Sequence, residues 1–195
     1  MKRITWLILT VVIVSVMLIV VNTGLTTSYF TDAEQSTDDV LRIGWGLITL
    51  DDGFEDTPWD HYWDENGTTT WVRTNKNPNS GSFSAKSNKN SNGFLTSDEI
   101  DASSADNIIV AFWFNPKAIE PGDIVIEIYN GITWATWYDL TDYSTFSDET
   151  WSEFNEVITD SQYFISGFRI RFNSSGLTDG KEQIKIDDVQ IITNQ

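Results

Sequence analysis

The chain of 195 residues has no cysteine, and His61 is its only histidine. Without cysteine there is no thiol nucleophile, no thiolate metal site and no disulfide. An exported chain of this kind must hold itself together by core burial, metal or assembly. A Ser-His-Asp triad would have to use His61, and no nucleophile-elbow glycine pattern surrounds any serine. Basic residues are also scarce: 12 Lys and Arg stand against 29 Asp and Glu, a net charge of −17. Such a surface repels nucleic acid and anionic lipid and favours solubility and divalent cations. Helical periodicity is missing from everything after Val21.

The N-terminus departs from this acidic pattern. Lys2 and Arg3 precede a run without charge from Ile4 to Val21. The run exceeds the roughly 7–15 residues of a signal h-region and falls just short of the about 20 of a spanning helix. Either reading exports the rest of the chain, because the positive end stays cytoplasmic. The sequence therefore divides into a signal peptide or membrane anchor over 1–28, a linker and first strand over 29–50, and one domain over 51–195. If the leader stays uncleaved, membrane contact is expected through residues 4–21.

The domain reads as β throughout. A strand is expected within Val40–Leu50, where Ile43, Trp45 and Leu47 alternate with Arg42, Gly44 and Gly46. Further short runs rich in β-branched and aromatic residues cover 70–74, 82–87, 108–115, 123–130, 132–140, 168–172 and 183–192. Turn signals separate them, and Asn130-Gly131 is the strongest hairpin signal. "FRIRF" places Phe168, Ile170 and Phe172 inward and Arg169 and Arg171 outward. In "QIKIDDVQII" the apolar phase flips across Asp187-Asp188, which predicts a bulge that re-aims one carboxylate. Many short strands at this spacing indicate an all-β, antiparallel jelly-roll β-sandwich preceded by the N-terminal signal or transmembrane helix.

Two resemblances join this reading. "TTSYFTDAEQSTDD" resembles the leader boundary of camelysin and TasA-type biofilm-fibre proteins, which a SipW-type signal peptidase processes. Tyr29, Phe30, Thr31, Asp32, Glu34 and Ser36 match, and Thr26-Thr27-Ser28 depart from the usual small alanines. From Asp51 to Thr193, "DDGFED", "NPNSGSFSAKS", "IIVAFWFN" and "FRIRFNSSGLTDGKEQIKIDDVQI" resemble the galactose-binding-like or MAM-like jelly rolls of secreted carbohydrate-binding modules. That second resemblance implies a structural calcium tying first strand to last. Its ligands would come from Glu55, the Asn79 to Gly81 turn (Asn79 and Gly81 themselves included), and Asp187 and Asp188. Calcium takes 6–8 oxygen ligands, which mixed carboxylates and carbonyls can supply.

Three functional classes remain. The 9 tryptophans suit stacking on sugar faces, with Trp113, Trp134 and Trp137 as candidate ligand-binding residues; the alternative is that they fill a large disulfide-free core. A binding or adhesive role toward glycans or another cell-envelope component, outside the cell or on its surface, is the first reading. Self-assembly as a fibre or biofilm-matrix subunit, with the Tyr29 to Leu50 segment adding as a strand to a neighbour, is the second. Hydrolysis is the third. Glycosidases place two carboxylates across the sugar bond. Glu99-Ile100-Asp101 begins like the strand motif of jelly-roll glucanases, yet Ala102 and Ser103 stand where a second glutamate would be needed. The sequence thus reads as a non-catalytic module, with no nucleic-acid partner.

Overall fold

The computed structural model describes residues 42–43, 46–66, 71–90 and 92–195. The apolar run, the leader boundary and the expected N-terminal helix lie outside the described residues. Among those described, no helix is long and apolar enough to cross a membrane.

Two antiparallel sheets face each other, as the strand patterning requires. One has seven strands: β1 (Arg42–Ile43), β2 (Gly46–Asp52), β4 (Val72–Thr74), β5 (Ser84–Asn88), β7 (Asn107–Lys117), β10 (Ser152–Ile158) and β12 (Gln183–Asn194). The other runs β3 (Trp63–Asn66), β6 (Phe94–Ser97), β11 (Arg169–Asn173), β8 (Val125–Tyr129), β9 (Trp134–Asp139). The result is the expected jelly-roll β-sandwich. Alternation drives it: Ile108, Val110, Phe112 and Phe114 of β7 are buried, as are Ile126 and Ile128 of β8 and Ile170 and Phe172 of β11. Phe112 stacks on Phe154 at 4.6 Å and meets Phe172 edge-on at 5.0 Å, so the aromatic core joins both sheets. Each such side chain contributes about 1.5–3 kcal/mol on burial, which is how a chain without disulfides closes.

The strand expected within Val40–Leu50 is two strands instead. Arg42 pairs with Leu47 and Ile43 with Gly46, so β1 and β2 form an antiparallel hairpin. The Asn130-Gly131 hairpin joins β8 to β9. The Asn130 side chain accepts from Ile132 N at 3.1 Å and Thr133 N at 2.9 Å, and Gly131 takes φ +88°.

β12 organises the larger sheet. One of its edges pairs with β5 over Gln183–Ile186 and then with β2 over Val189–Asn194; its other edge pairs with β7. The register shifts between Asp187 and Gln190, and Asp188 takes φ +49°. This is the bulge expected from the phase flip.

Candidate functional site

The outer face of the five-stranded sheet is built from the residues that alternate away from the core. One register row crosses all five strands: Asp64, Thr96, Arg171, Glu127, Thr136. Beside it, Arg169 is opposite Tyr129, and Tyr129 opposite Trp134. Arg171 is the centre of the face. Its Nε donates to Glu127 Oε2 at 2.7 Å, and its guanidinium lies 4.2 Å from the Phe94 ring centre and 4.3 Å from that of Trp134. Tyr129 and Trp134 adjoin at 5.1 Å, tilted 39°. Arg169 pairs with Glu99 and approaches the Tyr129 ring at 6.0 Å. Cation–π contacts of this kind contribute roughly 0.5–2 kcal/mol each and fix the rings in place.

The arrangement alternates flat apolar rings with forked donors and carboxylate acceptors. This is the chemistry that meets a pyranose, with its apolar C–H faces and hydroxyl rim. The polar layer is not closed on itself. The Thr96 hydroxyl and the Arg169 Nε are buried without a hydrogen-bond partner, as are Arg73 Nε, Ser84 Oγ and Thr193 Oγ1 in the other sheet.

The candidate tryptophans separate. Trp134 stands on this face. Trp137 falls at the register shift between β8 and β9 and packs against the core, edge-on to Phe154 at 5.6 Å. Trp113 is half-buried on the outer face of the other sheet, where it is opposite Glu153 and Asp187. Phe94, Tyr129, Arg169, Arg171 and Glu127 are not among the candidates that the sequence marks for binding. Their signal is the outward phase of "FRIRF" and "DIVIEIYN", which the stronger inward phase obscures. His61 is exposed and rests edge-on against Tyr62.

The residues expected around calcium do come together, at the β12 bulge. Asp187 Oδ2 accepts from Asn79 N at 2.7 Å and Ser80 N at 3.3 Å, and its Oδ1 from Asp188 N at 3.0 Å. Asp188 accepts from Asn79 Nδ2 at 2.8 Å and Ser80 Oγ at 2.6 Å. Glu55 Oε1 accepts from Ser82 N at 2.7 Å and Phe83 N at 2.8 Å. Gly81 takes φ +54°, which favours glycine, and a Cβ there would sit 2.4 Å from Glu55 Oε1 and displace that carboxylate from Ser82 N and Phe83 N. The clasp thus ties the loop after β2 and the β4–β5 loop to the last strand.

Burial raises the Asp187 carboxyl to about 6, with amide hydrogen bonds opposing and the Asp188 charge adding to the shift. No Lys or Arg forms an ion pair with Glu55, Asp187 or Asp188 among the described residues. The all-oxygen donor set and the uncompensated charge suit a hard divalent cation. As placed, these oxygens answer N–H and O–H donors, and no three acidic or histidine side chains converge on one point among the described residues.

No family model and no curated protein matches this chain. Among solved structures, it is similar to the CBM22-1 xylan-binding domain from Paenibacillus barcinonensis, at 18% identity over 79% of this chain and 99% of that one, with a TM-score of 0.50. It is also similar to the CBM22-1 and GH10 modules of Clostridium thermocellum endo-1,4-β-D-xylanase 10B in complex with xylohexaose. There identity is 12% over 76% of this chain and 28% of that one, with a TM-score of 0.53. The shared property at this identity is the fold. This chain has the jelly-roll β-sandwich found in carbohydrate-binding modules.

Proposed function

We propose that this protein is an exported, non-catalytic carbohydrate-binding module that holds a polysaccharide across the outer face of its five-stranded sheet. The observation that carries this reading is the Arg171 guanidinium set between Phe94 and Trp134 and paired to Glu127, in the row Asp64, Thr96, Arg171, Glu127, Thr136. In this reading Trp134, Tyr129 and Phe94 provide apolar surface for sugar rings. Arg171 and Arg169 donate to ring and hydroxyl oxygens, and Glu127 and Glu99 accept from hydroxyls. The similar structures support it, since one is of a xylan-binding domain and another holds xylohexaose. A neutral β-linked polysaccharide such as xylan is the first ligand to test.

Calcium belongs to the same proposal as a structural ion at the β12 bulge. Glu55, Asn79, Asp187 and Asp188, with carbonyls of the Gly81 turn, would hold it. Bound there, it would neutralise carboxylates that now rely on amide donors. Strand donation to a neighbour rests on Tyr29 to Leu50, of which residues 29–41 and 44–45 lie outside the described residues; of the rest, β2 pairs with β12 and β1 of its own chain.

The experiment is affinity gel electrophoresis of the full-length chain in mild non-ionic detergent with xylan, mixed-linkage β-glucan and cellulose derivatives. Retardation by at least one neutral glycan, lost in Trp134→Ala, is expected. A chain that migrates unchanged in all of them would remove the reading.

A further inference from the structure

One part of the outer face of the seven-stranded sheet, where β4, β5 and the first half of β12 meet the end of β7, carries a cluster of lysines in an otherwise acidic molecule. Lys185 on β12 is directly opposite Lys86 on β5, and on its other side it is opposite Asn115 of β7. Val72 of β4 extends the same row beyond Lys86. One step along, Lys117 of β7 is opposite Gln183. Lys76, in the loop after β4, adds a further charge. Like charges directly opposite one another in a sheet are destabilising. In a chain with 29 acidic and 12 basic residues, an acidic neighbour would be the default remedy. Of these lysines only Lys117 has one, Glu149; Lys76, Lys86 and Lys185 form no ion pair among the described residues.

Burial lowers the Lys86 and Lys185 ammonium groups below the usual lysine range, and the neighbouring lysines lower them further. The cluster is therefore held against its own repulsion. Two aromatic side chains frame it. Trp151 lies 5.6 Å from the Lys185 ammonium, and the Trp151 Nε1 and Lys185 Nζ both donate to Asn77 O at 3.3 Å. Trp113 stands on β7 two residues from Asn115, on the same face, and the acids opposite it on either side, Glu153 and Asp187, mark the boundary of the patch.

We infer that this face is a second binding site, separate from the five-stranded face, for an acidic polysaccharide that carries carboxylates along its chain. Lys86 and Lys185 are directly opposite on neighbouring strands, and Lys117 on the third strand is set diagonally from Lys185, ~7–8 Å away by sheet geometry. Lys185 is only 7% exposed, so Lys86, Lys117 and the exposed Lys76 are the charges that a carboxylate-bearing chain meets. Trp151 offers apolar surface beside these charges. The net negative charge of the molecule does not forbid this, because at physiological salt charges beyond about 8 Å are largely screened. Lys76 and Lys86, which have no acidic partner among the described residues, then act at contact range, while Lys117 is shared with Glu149. The inference holds whether or not the five-stranded face binds neutral glycan.

The test is affinity electrophoresis of the full-length chain in mild detergent with polygalacturonate, alongside neutral xylan, a DNA duplex and anionic phosphatidylserine vesicles. Retardation by polygalacturonate that weakens as salt rises is expected. Lys86→Glu and Lys76→Glu should each reduce it about tenfold, as expected when one contact charge is reversed, and Trp134→Ala should leave it unchanged. Lys76 is exposed in a loop, so it decides the matter if Lys86→Glu perturbs the fold. No retardation by polygalacturonate, or retardation of both lysine variants equal to that of the wild type, would overturn the inference. Equal binding to DNA or to the vesicles would overturn it too, because the patch would then be a general anion exchanger.

Discussion

Arg171 and Glu127 are opposite one another on β11 and β8, joined by a 2.7 Å hydrogen bond with their side chains only 17% and 12% exposed. Two charges held this far from water, on the outside of a sheet and between two aromatic rings, are costly unless paired. Arg171→Met should leave Glu127 without its partner. The expected loss of stability is about 2 kcal/mol, read by urea denaturation. Arg171→Met with Glu127→Gln should recover part of it, because the stranded charge is gone. Equal losses in the single and double variants would mean that the pair is not coupled.

The clasp at the β12 bulge makes a different prediction. Gly81→Ala places a methyl 2.4 Å from Glu55 Oε1 at a φ of +54°. It should destabilise by about 1–3 kcal/mol. Combined with Glu55→Ala, which removes the clash but not the backbone strain, it should cost less than the two single changes added together. A double-mutant cycle in thermal unfolding measures this; strict additivity would show that Glu55 and Gly81 do not meet.

Calcium at that clasp would be visible as linkage. An ion that binds only the folded state stabilises by RT ln(1 + [L]/Kd), about 2.7 kcal/mol at a hundred times Kd. The melting temperature should rise with millimolar calcium, fall with chelator, and respond to neither in Asp188→Asn. A wild-type melting point indifferent to both would exclude a structural ion.

Asp123 gives the pH prediction. It is buried, and burial raises its carboxyl above the usual value, with Glu182, Glu120 and Asp139 adding to the shift and the Glu120 amide opposing it. A raised folded-state value means that the protonated acid is favoured in the folded protein. Its stabilising contribution is therefore full below the unfolded pKa, about 3.9, and is lost as pH rises through the folded value. Asp123→Asn keeps an acceptor for Glu120 N and removes the charge. Its melting temperature relative to wild type should be higher at pH 8 than at pH 4. An offset that does not change with pH would contradict the assignment.

Much of the fold is legible in the sequence because its alternation is strong. "FRIRF", the Asn130-Gly131 hairpin and the phase flip at Asp187-Asp188 all appear in the structure where the residues placed them. The strands without a clear sequence signal are β3, β6 and β10. β6 is four residues long. β3 lies in an acidic stretch, and β10 pairs only with β7, so its outward Glu153 and Asn155 dilute the apolar signal. The Val40–Leu50 segment reads as one strand because its alternation is equally consistent with two strands of a hairpin. The site is harder. Sequence points to tryptophans, but Trp137 goes to the core at a register shift that composition does not reveal. The centre of the face is an arginine, which becomes conspicuous only when cross-strand register sets it between Phe94 and Trp134.

The central claim is that the five-stranded face binds sugar through Trp134 and its neighbours. Isothermal titration of the full-length chain with soluble xylan oligosaccharides, wild type against Trp134→Ala, measures it most directly. Saturable binding to wild type is expected, with at least about tenfold weaker binding to the variant, ~1.4 kcal/mol. The variant should lose roughly 0.5–2 kcal/mol of stability with the Arg171 cation–π contact but stay folded, because the ring stands outside the core. Binding that survives Trp134→Ala undiminished would contradict the claim.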